Sequence, residues 1–145
     1  MTRWMSAVRA GAVGVGLFLA ATAAQAATLN LRVTDVTSAE HQVVVQVYRG
    51  SDGFRDPENA VRRVAVPAKS GTVPVTLEGL KPGRYAVVVY HDQDGDGGMD
   101  RFLGMIPTEG YGLSRNPEVT GPPAFADSAF DLPATGAELA IEMRY

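Results

Sequence analysis

The 145-residue sequence contains no cysteine and only two histidines, His41 and His91. No disulfide can form, and a zinc site is disfavoured because zinc prefers thiolate and imidazole ligands. Positive charge is not in excess either, since 13 basic side chains face 16 acidic ones and give a net charge of −3. Nucleic acid is therefore not an expected partner, because binding to a phosphate backbone needs clustered basic residues.

Long apolar runs are absent after the N-terminal segment, and that segment has the pattern of an export signal. Arginines precede an uncharged apolar run from Ala10 to Ala21, and Ala24-Gln25-Ala26 forms an A-x-A cleavage site. We therefore predict a signal peptide over residues 1–26 and an exported domain, periplasmic or secreted, over residues 27–145. The apolar run is too short to span a bilayer comfortably, and no later segment approaches its length, so no membrane span is expected after signal removal.

Helical periodicity is also lacking, and alternation of apolar and polar residues predicts strands instead. The predicted strands lie at residues 28–36, 42–49, 62–66, 73–77, 85–90, 130–132 and 139–143. Pro74 predicts an edge position for its strand, because proline cannot donate to a sheet ladder. Residues 85–90 are apolar on both faces, which is typical of a central strand between packed layers. The pattern predicts an all-β, seven-stranded antiparallel Greek-key sandwich of immunoglobulin-like or transthyretin-like type.

The sequence Leu80-Lys81-Pro82-Gly83-Arg84-Tyr85 is an L-x-P-G-x-Y turn that precedes the predicted central strand. In this pattern the proline and glycine form the corner, and the tyrosine hydroxyl can hydrogen-bond back to nearby backbone. Such a tyrosine corner is typical of Greek-key sandwiches. The turn therefore favours the same fold as the strand pattern.

Residues 91–125 do not follow the strand pattern and are rich in glycine, proline and acids. Structureless loops longer than about 15 residues are uncommon in compact domains and are usually functional or disordered. Apolar side chains in this segment, among them Phe102, Leu103, Met105, Ile106, Tyr111 and Phe125, argue against a solvated linker. We expect one long ordered loop that folds back over an end or edge of the sandwich.

The loop begins with Asp92, Asp94 and Asp96 in D-x-D-x-D spacing, followed by Gly97 for a sharp turn. Calcium takes six to eight oxygen ligands, and this spacing allows several carboxylates and a backbone carbonyl to surround one ion. The predicted metal residues are Asp92, Asp94, Asp96, Gly98, Asp100 and Glu109. The alternative is a solvated acidic turn held by aspartate hydrogen bonds.

The motif departs from an EF-hand at its twelfth position, where Leu103 replaces the bidentate glutamate. A strand rather than a helix also leads into the loop. Glu109 is therefore the first candidate for the missing oxygen ligand. Without such a ligand, we expect a modest affinity for calcium.

Three segments resemble the bacterial DUF2141 family: residues 80–87, residues 91–100 and residues 104–114. Their motifs follow the family forms L-x-P-G-x-Y-A, H-D-x-N-x-N-G-x-x-D and G-x-P-x-E-G-Y-G-x-S. The resemblance covers essentially the whole chain and implies an exported β-sandwich domain of unknown function. The family tolerates asparagine at Asp94 and Asp96, which suits metal or turn chemistry, and it brings no catalytic residues.

The segment Pro107-Thr108-Glu109-Gly110-Tyr111-Gly112-Leu113-Ser114 has two interpretations. In the first, His91, Tyr111 and Ser114 belong to a recognition surface beside the acidic loop, together with Glu109. In the second, Glu109 braces the acidic loop, Tyr111 packs on the sandwich and Ser114 caps a turn before Asn116-Pro117.

The leading functional prediction is a non-catalytic, monomeric module with a calcium-ordered loop, which serves as a binding or structural accessory at the cell envelope. Its partner would be a protein or small ligand that the sequence does not identify. The alternative is a small hydrolase-like enzyme that uses His91, Glu109 and Ser114. A hydrogen-bonded pair of His91 with Asp92 is disfavoured, because adjacent residues of a strand point to opposite faces. A third possibility is a carrier that holds a small ligand between its sheets.

Overall fold

A computed structural model of the protein describes residues 25–99, 101–102 and 106–145. The predicted signal peptide lies outside these residues except for Gln25 and Ala26, and the predicted ligand Asp100 also lies outside them. Among the helices of the described residues, none is both long and apolar enough to cross a bilayer.

The described chain forms strands with two short helical turns. The strands are β1 (Ala27–Val36), β2 (Gln42–Tyr48), β3 (Arg62–Pro67), β4 (Gly71–Leu80), β5 (Gly83–Asp92), β6 (Arg101–Phe102), β7 (Ile106–Pro107), β8 (Tyr111–Leu113), β9 (Phe130–Leu132) and β10 (Ala137–Glu142). A 3-10 turn lies at Pro57–Asn59 and one helical turn, α1, at Phe125–Ser128.

Two larger sheets form an all-β sandwich. One sheet has three strands in the order β10-β1-β4, and the other has five, with β3-β2-β5-β8 in order and β9 also paired with β5. The strands β6 and β7 pair separately as a two-stranded sheet. The two-sheet architecture confirms the predicted fold class at this level.

Two details of the predicted fold are wrong. The described residues form ten strands instead of seven, because the segment 91–125 adds β6, β7 and β8. The sandwich is also not wholly antiparallel, since β1 pairs with β10 in parallel, for example Leu31 opposite Leu139. Neither feature has a local signal: the added strands have two or three residues, and strand direction depends on the path of the whole chain.

The core lies between the two sheets and consists mainly of alternate residues of four strands, with Leu132 of β9 and Ile141 of β10 beside them. Each of these side chains is at most 5% exposed: Leu29, Leu31, Val33, Val43, Val45, Val47, Val73, Val75, Leu77, Tyr85, Val87 and Val89. Burial of each aliphatic side chain stabilises the fold by about 1.5–3 kcal/mol. The predicted period-two alternation is confirmed by burial in β1 and β4. In β2 the prediction of one buried face is wrong, because Val44 and Gln46 on its other face are buried as well.

Two local predictions about turns and edges are confirmed. The Tyr85 hydroxyl donates a hydrogen bond to the Lys81 carbonyl at 2.5 Å, which is the tyrosine-corner contact. Pro74 lies in β4, which is an edge strand of the three-stranded sheet. An edge strand pairs on one side only, which is where a proline is tolerated in a sheet.

The outer face of the five-stranded sheet is also covered, which explains why β5 is apolar on both faces. Tyr48, Val88 and Leu113 are buried there and pack against Phe54, Ala60, Met99 and Val119. The predicted long segment thus contributes an edge strand, β8, and part of a lid over this face. The acidic loop, which begins this segment, therefore lies beside the five-stranded sheet.

Candidate functional site

The acidic loop is anchored by Asp92, the last residue of β5, which is fully buried. Its Oδ2 accepts hydrogen bonds from Gln42 Nε2 at 2.7 Å and from the Gly97 N–H at 2.9 Å. Its Oδ1 accepts a third from the Gly95 N–H at 3.0 Å. Gly97 has φ of +83°, a conformation that glycine adopts without steric cost, so the predicted sharp turn is present.

Asp94 and Asp96 are exposed and close the next two turns of the loop. Asp94 Oδ1 accepts from the Asp96 N–H at 3.1 Å, and Asp96 Oδ1 accepts from the Gly98 N–H at 2.8 Å. Carboxylate oxygens of Asp92, Asp94 and Asp96 lie within 4.8 Å of one another. The aspartate hydrogen bonds are those of an acidic turn, and the convergence of three carboxylates is that of a cation site.

The loop is tied to the outer face of the five-stranded sheet through one carbonyl. The Gly97 carbonyl accepts from the Tyr90 hydroxyl at 2.7 Å and from Arg63 Nη2 at 2.5 Å. Arg63 Nη2 also donates to the Tyr90 hydroxyl at 3.1 Å. These contacts hold the turn against β5 and bring one guanidinium to a strongly acidic segment.

Glu109 lies at the base of the loop and is 7% exposed. Its Oε1 accepts from the Gln93 N–H at 2.9 Å, so it braces the loop as the second interpretation predicts. Within the described chain, the carboxylate group spaced for a metal contains Asp92, Asp94 and Asp96 but not Glu109. A ligand role for Glu109 stays a prediction.

The expectation that His91 belongs to a surface is wrong, because its side chain is fully buried. His91 Nε2 lies 2.8 Å from the Glu40 carbonyl, which can only accept, so the proton is assigned to Nε2. Nδ1 then accepts from the Tyr145 hydroxyl at 2.8 Å. Both ring nitrogens are engaged in holding the chain together, on the opposite side of β5 from Asp92.

Ser114 is likewise fully buried, so neither the predicted surface role nor the predicted turn cap is correct. Its Oγ accepts from the Val87 N–H at 2.9 Å and donates to the Ser128 carbonyl at 2.6 Å. Ser114 lies opposite Val87, whereas His91 lies opposite Gly110, four residues further along β5. That separation is about 13 Å along a strand, too far for a base and nucleophile. His91 therefore cannot act as the base for Ser114, which is the pair that the hydrolase-like alternative requires.

The glycines around Tyr111 permit close approach of the C-terminal segment. A Cβ at Gly112 would lie 2.7 Å from the Glu142 carbonyl oxygen, and one at Gly110 would overlap the Tyr145 ring. Tyr111 itself is half-buried and pairs with Arg144 through two backbone hydrogen bonds of 2.9 and 2.7 Å. This segment joins the edges of the two sheets through the backbone of Tyr111, while packing of its ring on the sandwich stays a prediction.

Sequence reasoning missed a cavity of about 160 Å³ on the outer face of the five-stranded sheet. Val88, Tyr90, Gln46 and Arg55 are among the residues that line it. The available signal was Gln46, a polar residue in a strand that is otherwise apolar from Val43 onward. A polar side chain at such a position needs partners. One is local, because Gln46 Oε1 accepts from the Tyr48 hydroxyl two residues along the strand, but the sequence identifies none for Nε2.

A comparison with protein families finds one match over most of the chain. The family described as "Uncharacterized protein conserved in bacteria (DUF2141)" matches residues 31–140. Neither a search of curated proteins nor a search of solved structures gives a match. The match includes the tyrosine corner, the acidic loop and the Tyr111 segment.

Proposed function

The chain belongs to the DUF2141 family, and from the geometry of its acidic loop we propose an exported, non-catalytic module whose loop binds calcium. The observation that carries this proposal is the convergence of Asp92, Asp94 and Asp96 within 4.8 Å. In water, two carboxylates at this distance repel each other by on the order of 1 kcal/mol. A divalent cation would replace this repulsion with attraction.

The choice of calcium follows from the ligands and the loop. Carboxylate and carbonyl oxygens are the ligands that calcium takes in irregular arrangements, whereas magnesium requires a near-octahedral set. Gly95 and Gly97 have φ of +76° and +83°, so the backbone turns sharply around the cluster. The Gly98 carbonyl, Asp100 and Glu109 are the proposed further ligands. With fewer fixed carboxylates than a complete EF-hand, the site should bind calcium with modest affinity.

The test is thermal unfolding followed by circular dichroism, in excess calcium, excess magnesium and chelator. At a calcium concentration one hundred times its dissociation constant, binding to the native state alone contributes about 2.7 kcal/mol. For a domain of this size, the midpoint should rise by about 10 °C. Identical unfolding curves in all three conditions would refute the ion site, and a rise with magnesium alone would refute the choice of ion.

A double variant, Asp94→Asn with Asp96→Asn, separates the ion from the turn. Each asparagine retains an oxygen that can accept the hydrogen bond now made by the aspartate, but two negative charges are lost. The variant should be at least as stable as wild type in chelator and should lose most of the rise with calcium. Asp52→Asn, at an exposed carboxylate in the loop after β2, is the matched control and should leave that rise unchanged.

That the module is non-catalytic is a proposal supported by the contacts of two of the three candidate residues, His91 and Ser114. Both His91 ring nitrogens and the Ser114 hydroxyl make buried or half-buried hydrogen bonds within the fold. We also propose that the sandwich is of the immunoglobulin-like or transthyretin-like Greek-key type, a proposal supported by the tyrosine corner. The module would act as a binding or structural accessory at the cell envelope.

Export and oligomeric state have their own tests. N-terminal sequencing of protein recovered outside the cytoplasm should begin at Ala27, as the signal pattern requires, and an intact N-terminus would refute cleavage there.

We propose a monomer because, of the residues described, the exposed large hydrophobic side chains are the separate Val61 and Tyr145. Light scattering should give the mass of a single chain, and a dimer mass would refute the proposal.

A further inference from the structure

The cavity on the outer face of the five-stranded sheet has an apolar interior with polar groups at particular points. Val88 of β5 and Leu113 of β8 lie on its sheet side, while Met99 and Val119 line it from the long segment. Its volume of about 160 Å³ is close to that of a dry apolar cavity that holds one benzene ring, about 150 Å³. The space therefore suits a compact apolar group.

Gln46 places an unsatisfied donor at this cavity. The side chain is only 3% exposed, and its Oε1 accepts from the Tyr48 hydroxyl at 2.9 Å. Its Nε2 makes no hydrogen bond with the described chain. The nitrogen is not among the buried unpaired atoms of the described residues, so it is open to a neighbouring acceptor. An acceptor in the cavity would satisfy this donor.

Arg55 supplies a second unsatisfied donor and a positive charge. Its Nε is buried without a hydrogen-bond partner, and within the described chain its guanidinium forms no ion pair. Its backbone has φ of +73°, a left-handed conformation that is uncommon for a residue with a side chain. Strained residues of this kind persist where the surrounding structure holds them and are concentrated at binding sites.

We propose that this cavity binds a small monocarboxylate with an apolar body about the size of a benzene ring. The carboxylate would accept hydrogen bonds from the Arg55 guanidinium, whose planar fork of donors matches the two carboxylate oxygens. One of these oxygens would also accept from Gln46 Nε2. The apolar body would contact Val88, Met99 and Leu113. A small inorganic anion would leave the apolar walls without contacts.

This inference does not depend on calcium, although the two sites share one structural element. Gly97 and Gly98 line the cavity and also belong to the acidic loop. Titrations in chelator and in calcium therefore separate the two proposals. Binding of the carboxylate in chelator supports the cavity site whatever the loop does with calcium.

The experiment is a titration of the isotope-labelled protein with phenylacetate, followed by amide chemical shifts. Phenylacetamide, which has the same ring and shape but no charge, is the matched ligand. We expect phenylacetate to bind with a dissociation constant of about 1 mM or below, with shifts concentrated at Val88, Met99 and Leu113. Phenylacetamide should bind at least about tenfold more weakly, because it loses the charge-assisted contact with Arg55.

Two variants test the residues. Arg55→Gln should weaken phenylacetate at least about tenfold while leaving phenylacetamide nearly unchanged. Arg84→Gln, at an exposed arginine on another part of the sheet, is the control and should change neither. Val119→Phe, which places a ring in the cavity, should abolish both. An unchanged spectrum elsewhere verifies that each variant is folded.

Three results would overturn the proposal. The first is the absence of saturable amide chemical-shift changes in the millimolar range, about the weakest affinity that the proposal allows. The changes would have to be absent both with phenylacetate and with 3-methylbutanoate, a monocarboxylate that has a branched aliphatic body. The second is equal affinity for phenylacetate and phenylacetamide, which would exclude recognition of the carboxylate. The third is undiminished binding to Arg55→Gln.

Discussion

Replacing Asp92 with alanine separates the structural role of this aspartate from any role in ion binding. The Asp92 carboxylate is fully buried and accepts three hydrogen bonds, from Gln42 Nε2 and from the N–H groups of Gly95 and Gly97. In Asp92→Ala these three donors lose their acceptor, whether or not a metal is bound. The variant should therefore be destabilised even in chelator.

The expected loss is about 3 kcal/mol, based on these contacts. Hydrogen bonds to a charged acceptor contribute about 1.5–3 kcal/mol each, and the lower value applies where water can replace the acceptor. That condition holds for the loop donors, because Gly95 is exposed and Gly97 half-buried. Loss of the charge also removes repulsion from Asp94 and Asp96, on the order of 1 kcal/mol for each pair in water.

The assay is thermal unfolding in chelator, where a loss of about 3 kcal/mol lowers the midpoint by about 12 °C in a domain of this size. The contrasting variant is Asp94→Ala with Asp96→Ala, whose midpoint should move much less because these side chains are exposed and mutually repulsive. The control Asp131→Ala removes a surface ion pair of 3.9 Å and should cost less than about 1 kcal/mol. A midpoint for Asp92→Ala within about 3 °C of wild type, less than about 1 kcal/mol, would refute the anchoring role.

The remaining predictions concern buried contacts near the site. Ser114→Ala leaves the buried Val87 N–H without its acceptor and should cost about 1–3 kcal/mol in urea unfolding; an unchanged midpoint would contradict this assignment. Gly112→Ala should cost about 1–3 kcal/mol or more because its Cβ meets the Glu142 carbonyl, whereas Gly98→Ala, with only an ordinary contact, should cost less; equal effects would disprove the close approach. Tyr85→Phe removes the 2.5 Å corner bond and should cost about 1 kcal/mol by the same assay, and no loss would show that the bond contributes nothing.

The strands and turns that sequence predicts are those whose signals are local. Alternation in β1 identified its buried face, since successive side chains of a strand point to opposite faces. The tyrosine corner and the sharp turn at Gly97 were predictable for the same reason, because a few neighbouring residues determine their backbone conformation. The clustering of Asp92 with Asp94 and Asp96 follows from that turn.

The burial of His91 and Ser114 could not be predicted from local sequence patterns. Both are polar residues in a segment rich in acids and glycine, and both looked available for chemistry. Their partners are distant in the chain: His91 contacts Tyr145, 54 positions away, and Ser114 contacts Val87, 27 positions away. No local pattern contains the partner, so the burial of these side chains becomes visible only when the sheets meet.

The sequence by itself determined which residues face the core, where the chain turns and which carboxylates share a loop, because these depend on side chains within a few positions. Tertiary structure alone decided the parallel pairing of β1 with β10, the closure of the sheets at Gly112 and the cavity beside Gln46 and Arg55. Each of these brings together segments separated by many residues. Their energies come from packing and from buried hydrogen bonds that exist only in the assembled sandwich.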